Sequence, residues 1–346
     1  MSSRPIDHTY SDPLDVVWLK AAADLGLTVV RSPDVFASYD GKGNLTISEP
    51  QHFDADDCLA QMIFHEICHW LVAGRRGFQL EDWGLSNIDD RDLVYEYAAI
   101  RVQAALSQPW GLKEFMAVTT DWRPYWNALP LDPLGDGDDP AIALAREAFH
   151  LARLKPFAAV LQRALAATAA IADVIRDAAS NDSLWGKTQP RHRLGSLLSA
   201  DAEQRCGQCA WAFADQGSVY CRQHMNPGQP PPAVDVEEVA CHRWEPKFSI
   251  DDCGSCGACC HKGFDVLAVA KDDPFKTLHP ELVQLRDDGE HCLPRPGGTC
   301  VCLDGDGQAA TPYRCRYYEE RPKNCREFEV AGDACLVARR RVGLSR

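Results

Sequence analysis

The sequence predicts an α+β chain: a helix-rich metallo-domain followed by a loop-dominated, cysteine-rich region stabilised by a metal or cluster. Three observations carry this. Apolar residues recur at helical period around the pentad His65-Glu66-Ile67-Cys68-His69. Short strand-like stretches lie upstream of it. Only Cys58 and Cys68 of the sixteen cysteines precede residue 200, and the other fourteen fall between Cys206 and Cys335, so the two halves are built on different principles.

Residues 14–30 read as a helix followed by a short strand, and Asn44 to Ser48 as a second strand. The pentad's helix is marked by Leu59, Met62, Ile63, Ile67, Trp70 and Leu71. Asp54 to Asp57 supply an acidic N-terminus and Gly74 a stop, with Arg75 and Arg76 beyond it. A further helix is expected from Arg91 to Ser107. Pro, Gly and Asp make a loop of 129–140, and Ala141 to Ala179 reads as two helices broken at Pro156. The run GQPPP at 228–232 is a stiff linker or loop. The expected domains are 1–183, a small Cys/His metal-binding segment at 184–248, and a cysteine-cluster domain at 249–346.

A net charge of −14 argues against nucleic acid or an anionic membrane as the main partner, since both favour basic patches. The first residues lack the apolar run of a signal peptide, and no stretch reads as a membrane span, so a cytoplasmic protein is expected. In that compartment thiols stay reduced, and dense cysteines bind zinc or iron rather than forming disulfides.

On a helix, positions four apart share a face, so His65 and His69 can share one metal ion with Glu66 beside them to handle a proton. The bland alternative, two satisfied core histidines, is the less favoured. A third ligand must come from downstream, where Glu81, Asp82, Asp89, Asp90, Asp92 and Glu96 are the candidates. Glu96 lies within a predicted helix, where a carboxylate packed against the first helix suits a rigid site, although a solvated carboxylate is an equal reading. Cys68 projects away from Glu66 and reads as a small buried hydrophobe.

The stretch HEICHWLVAGRRGFQLEDWG, followed by VYEYAAIRVQAAL, resembles the elongation factor P hydroxylase family. The matching positions are His65, Glu66, His69, Trp70, Ala73, Gly74, Trp83, Gly84, Glu96, Arg101 and Gln103, within roughly residues 45–110. The resemblance implies an iron-type metal, Fe(II), held by His65, His69 and Glu96, and a modified lysine on a translation factor as substrate. The chain departs from the family where LSNIDDRD replaces a tyrosine-rich segment.

In the second half, Cys206-Gly-Gln-Cys209 with Cys221 and Cys241 form the simplest complete tetrahedral set for zinc, with His224 as substitute; an iron cluster is the alternative. A denser group comprises Cys253, Cys256, Cys259, Cys260, Cys292, Cys300, Cys302, Cys315, Cys325 and Cys335. Adjacent Cys259 and Cys260 cannot reach one ion without strain, so a multinuclear centre or two sites is expected. CGACC together with RCRYYEERPKNCREFEVAGDACLVARRRVGL resembles the YkgJ-type cysteine-cluster family over roughly residues 250–346, described as zinc- or iron-chelating. That implies a bound zinc or iron–sulfur centre more firmly than a reaction. Arg321, Pro322 and Arg326 are expected to shape the turn around Cys325.

The leading expectation is an iron-dependent oxygenase acting on a protein or peptide side chain, with electrons from the cysteine-bound centre. The rivals are a zinc-dependent hydrolase using Glu66 as general base and a non-catalytic metal-binding or scaffold protein.

Overall fold

The computed structural model describes residues 7–86, 90–118, 120–180, 182–226 and 228–345. The chain is α+β and forms two compact units, Met1–Leu197 and Leu198–Arg346.

In the first unit, α1 (Pro13–Asp24) starts at Asp12, whose carboxylate caps the N–H groups of Leu14 and Asp15. It leads into a small mixed sheet of β1 (Thr28–Ser32), β2 (Ala37–Tyr39) and β3 (Asn44–Ser48). Here β3 is central, parallel to β1 and antiparallel to β2. The edge strand β2 lies in a stretch without an alternating apolar pattern, and it forms because β3 offers its second edge.

Helix α2 (Leu59–Ala73) carries the pentad and is almost wholly buried. Its start differs from expectation. Asp54–Asp57 lie outside it, and Gln61 caps it instead by accepting the N–H of Cys58 at 2.6 Å. Gly74, at φ 73°, ends it. Helix α3 (Leu93–Ser107) packs alongside, preceded by a tight turn at Asp90–Asp92. The short α4 (Arg123–Asn127) follows, and α5 (Ala141–Ala152) and α6 (Phe157–Ile175) close the core.

Residues 157–178 make one helical stretch long and apolar enough to cross a membrane by length and composition, contrary to the expectation of none. One face of α6 belongs to the core: Phe157, Val160, Leu161, Ala164 and Leu165 are buried, and Thr168 accepts a hydrogen bond from the Trp18 indole at 3.0 Å. Residues 184–197 lie in this unit rather than in the segment that follows. The reason is packing, since Leu184 and Trp185 lie against its core, with Trp185 4.2 Å from Phe115 between ring centres.

The second unit has little regular structure. One three-stranded sheet comprises β4 (Ala212–Asp215), β5 (Ser218–Cys221) and β6 (Ala233–Val234), all antiparallel. After the short α7 (Cys253–Cys256) a second sheet forms from β7 (Leu267–Val269), β8 (Gln284–Leu285) and β9 (His291–Leu293), with β9 central. Helix α8 (Pro274–Leu278) lies between β7 and β8 in sequence, and β10 (Leu303–Asp304) pairs with β11 (Arg314–Cys315). Helices α9 (Lys323–Arg326) and α10 (Asp333–Arg341) complete it. The sequence boundary at 248 does not separate compact units, because Leu336 of α10 packs with Cys209, Ala210 and Trp211.

Candidate metal centres

Packing of α2 against α3 brings three predicted ligands together. The Nε2 atoms of His65 and His69 lie 3.0 Å apart, and the two oxygens of Glu96 lie 3.1 Å from His65 Nε2 and 3.2 Å from His69 Nε2. All three side chains are at least largely buried. Two imidazole nitrogens and a carboxylate, with donor atoms within 4.8 Å of one another, fit a single divalent ion of the zinc or iron type. Burial alone would pull the His65 pKa down, but the charge and hydrogen bond of Glu96 outweigh it and hold His65 up at about 9. Burial also opposes ionisation of Glu96, yet His69 and His65 hold its carboxyl well below the usual range.

Further residues surround and orient this set. Gln103 Oε1 lies 2.8 Å from His65 Nδ1, while its amide donates to Met116 O at 2.7 Å. With the amide committed to a carbonyl, the oxygen must face the imidazole, so His65 donates from Nδ1 and keeps Nε2 for a metal. His69 Nδ1 is buried with no hydrogen-bond partner among the described residues. Glu66 is buried, and its Oε2 accepts the Trp83 indole N–H at 2.8 Å. The Trp83 ring is held flat against Tyr39, 3.8 Å between centres. Arg101, two residues before Gln103, is buried and ties α3 to the 129–140 loop through Pro133 O and Asp139. Cys68 is fully buried in the core, where desolvation drives its thiol pKa well up. Of the other candidate carboxylates, Asp82 accepts the Tyr39 N–H, Asp92 the Ser86 N–H, and Asp89 lies outside the described residues.

The second unit holds a cavity of about 400 Å³ lined by nine cysteines: Cys253, Cys256, Cys259, Cys260, Cys300, Cys302, Cys315, Cys325 and Cys335. Cys292 is not among them. It sits on β9 opposite Ala268 and Gln284. Gly257 permits the crowding, since it adopts φ 56° and a Cβ there would meet the Tyr313 ring at 2.4 Å.

The thiols interact in two sets that meet at adjacent Cys259 and Cys260, whose sulfurs are 3.8 Å apart. Burial, then Cys259, Cys335 and Cys256, push Cys253 up to about 11. Burial, then Cys300, Cys315 and Cys259, push Cys325 up to about 12. Hydrogen-bond sharing pulls Cys259 down at the expense of Cys260, and Cys300 down at the expense of Cys302. Neutral thiols crowded this way repel as thiolates and are relieved by a cation.

Arg295 lines the same cavity, and its Nε and Nη1 are buried without a partner among the described residues. An anionic thiolate centre would satisfy them. Arg339 donates to Cys256 Sγ at 3.2 Å. As expected, Arg321 and Arg326 brace the Cys325 turn, Arg321 through Cys325 O and Arg326 through Arg321 O. Neither the Arg295 nor the Arg339 contact was legible in the sequence, which holds no spacing rule for arginines around thiols.

The remaining predicted set, Cys206, Cys209, Cys221 and Cys241, lies outside this cavity, on and around β4–β5.

No curated protein and no solved structure matches the chain. Residues 252–341, the stretch that supplies all nine cavity cysteines, match the family model CxxCxxCC, described as "Putative zinc- or iron-chelating domain".

Proposed function

We propose that the chain is an iron-dependent oxygenase that hydroxylates a protein or peptide side chain at the His65–His69–Glu96 centre. The observation that carries this reading is the donor set itself: two histidines and one carboxylate, with His65 oriented by Gln103 and Glu66 already engaged by Trp83. Bound there, iron(II) would supply the chemistry of dioxygen activation. His65 and His69 present their Nε2 atoms from one rigid helix, His65 once it has given up the proton that Glu96 favours on it, and Glu96 presents an anion from the next. Glu66, fixed by the indole, sits buried beside His65. The resemblance at Trp70, Trp83, Arg101 and Gln103 supports a lysine side chain on a translation factor as substrate. A centre in the cysteine cavity would supply electrons, which an oxygenase without an organic reductant needs.

A hydrolase reading rests on the burial of Glu66 next to His65, where its second oxygen could take a proton from water. One experiment separates the two. The protein is purified anaerobically, loaded with iron or zinc, and assayed for oxygen uptake and for peptide hydrolysis, with Glu66→Gln alongside. Oxygen uptake that needs iron and is abolished by His69→Ala supports the oxygenase. Zinc-dependent hydrolysis lost in Glu66→Gln overturns it. Stable metal binding with neither activity leaves a metal-binding protein without this chemistry.

A further inference from the structure

From the backbone pairing of residues 198–248, the geometry points to a separate structural zinc site, held by the thiolates of Cys206, Cys209, Cys221 and Cys241, that anchors the last helix. This site lies outside the residues matched by the chelating-domain model, and the function proposed above does not depend on it.

Main-chain hydrogen bonds bring together the segments that carry the four residues. Cys206 opens a tight turn and its N–H donates to Glu238 O at 2.9 Å, while Gly207 N–H donates to Val236 O at 3.0 Å. Cys209 closes the turn and bridges Pro246, and the next residue, Ala210, donates to Glu245 O at 2.9 Å. The turn is therefore clamped at both ends by one irregular segment, residues 236–246, and Cys241 lies between the two clamps. From the other side, Cys221 is the register partner of Ala212, and Arg222 N–H donates to Trp211 O at 2.9 Å. Cys206, Cys209 and Cys241 are buried.

The four thiols lie close enough to act on one another, since Cys206 feels Cys221, Cys241 and Cys209. Among the described residues, the buried apolar cluster here is Cys209, Ala210, Trp211 and Leu336, with Ala212, Trp244 and Phe248 partly buried against it. That is a small core for so irregular a segment, which is where structural zinc is commonly used.

Helix α10 docks on this module. Leu336 fills the cluster, the Arg340 guanidinium lies 4.4 Å from the Trp211 ring centre, and Arg222 pairs with Asp333. The same helix carries Cys335, which lines the cysteine cavity, and Arg339, which reaches Cys256. A metal at the four-cysteine site therefore fixes the helix that supplies one wall of the cavity.

The test measures zinc in the purified full chain and, in parallel, alkylates its cysteines for mass spectrometry before and after chelation. Cys241→Ser should lose one equivalent of zinc, whereas Cys292→Ser should lose none. In the wild-type chain, Cys206, Cys209, Cys221 and Cys241 should resist alkylation together and become reactive together when zinc is removed. Equal zinc in wild type and Cys241→Ser overturns the proposal. So does independent alkylation of the four thiols unchanged by chelation, a readout that stands even if the serine variant fails to fold.

Discussion

Gln103 faces His65 with its oxygen and Met116 with its nitrogen, so a single amide fixes which imidazole nitrogen is free. Gln103 is fully buried on α3, two turns from Glu96, and one helix thus supplies both an anionic ligand and the group that orients a ligand on its neighbour. Replacing Gln103 by Leu should weaken metal binding at this centre by about 10–100-fold. It should also cost about 1–3 kcal/mol of stability, because the Met116 carbonyl and His65 Nδ1–H lose their partner. Gln103→Glu keeps the acceptor and should bind metal more tightly than the leucine variant. Chelator competition and thermal melts measure the two effects; equal affinity in the leucine variant and wild type would remove Gln103 from this role.

Metal binding must displace the proton that Glu96 stabilises on His65. The folded His65 pKa, about 9, lies above its usual 6.5, so in the metal-free chain its pair with Glu96 contributes full stability below 6.5 and loses it as pH rises through 9. Glu96 is shifted the other way. Its contribution is present above its usual 4.5 and is lost only in strong acid. Apparent metal affinity should therefore climb by about tenfold per pH unit between neutrality and pH 9 and level off above. Calorimetric titration should show a proton released per metal bound; a flat profile over that range would contradict the assignment.

Asp57 places both carboxylate oxygens in buried positions with no hydrogen-bond partner among the described residues. Burial, then Asp56 and Asp54, raise its pKa from 3.8 to about 6. The sign follows from the proton: the protonated, folded form is favoured below 3.8, and that advantage is lost as pH rises through 6. Asp57→Asn should raise the melting temperature at neutral pH, with the gain disappearing in acid below the unfolded pKa. Since the residue as a whole is only partly buried, the effect should be small, on the order of 1 kcal/mol after solvent screening. Melting curves for the two proteins that stay parallel across the whole pH range would count against it.

Two cysteines from the same sequence cluster should behave oppositely. Cys259 lines the cavity beside Cys260, whereas Cys292 lies on β9 away from it. Cys259→Ser should lower the iron, zinc and sulfide content of the anaerobically purified chain, and Cys292→Ser should leave all three unchanged. Loss of metal in the Cys292 variant would place that thiol among the ligands.

The sequence by itself determined the α+β class, the helices around His65 and Glu96, and the concentration of metal-binding chemistry in two places. Those features are local: helical period puts His65 and His69 on one face, and short spacings keep Cys253, Cys256 and Cys259 close whatever the rest of the chain does. Glu96 was readable only as one carboxylate among several, because its partner helix is remote in sequence. Tertiary structure chose it by packing α3 against α2, and by the same contact turned Gln103 into the orienting group for His65. Tertiary structure also separated Cys292 from the other cavity cysteines, sent Trp83 to Glu66 and placed Arg295 against the thiols. None of these follows from spacing, since each depends on which surfaces must bury one another before a polar group can find its partner.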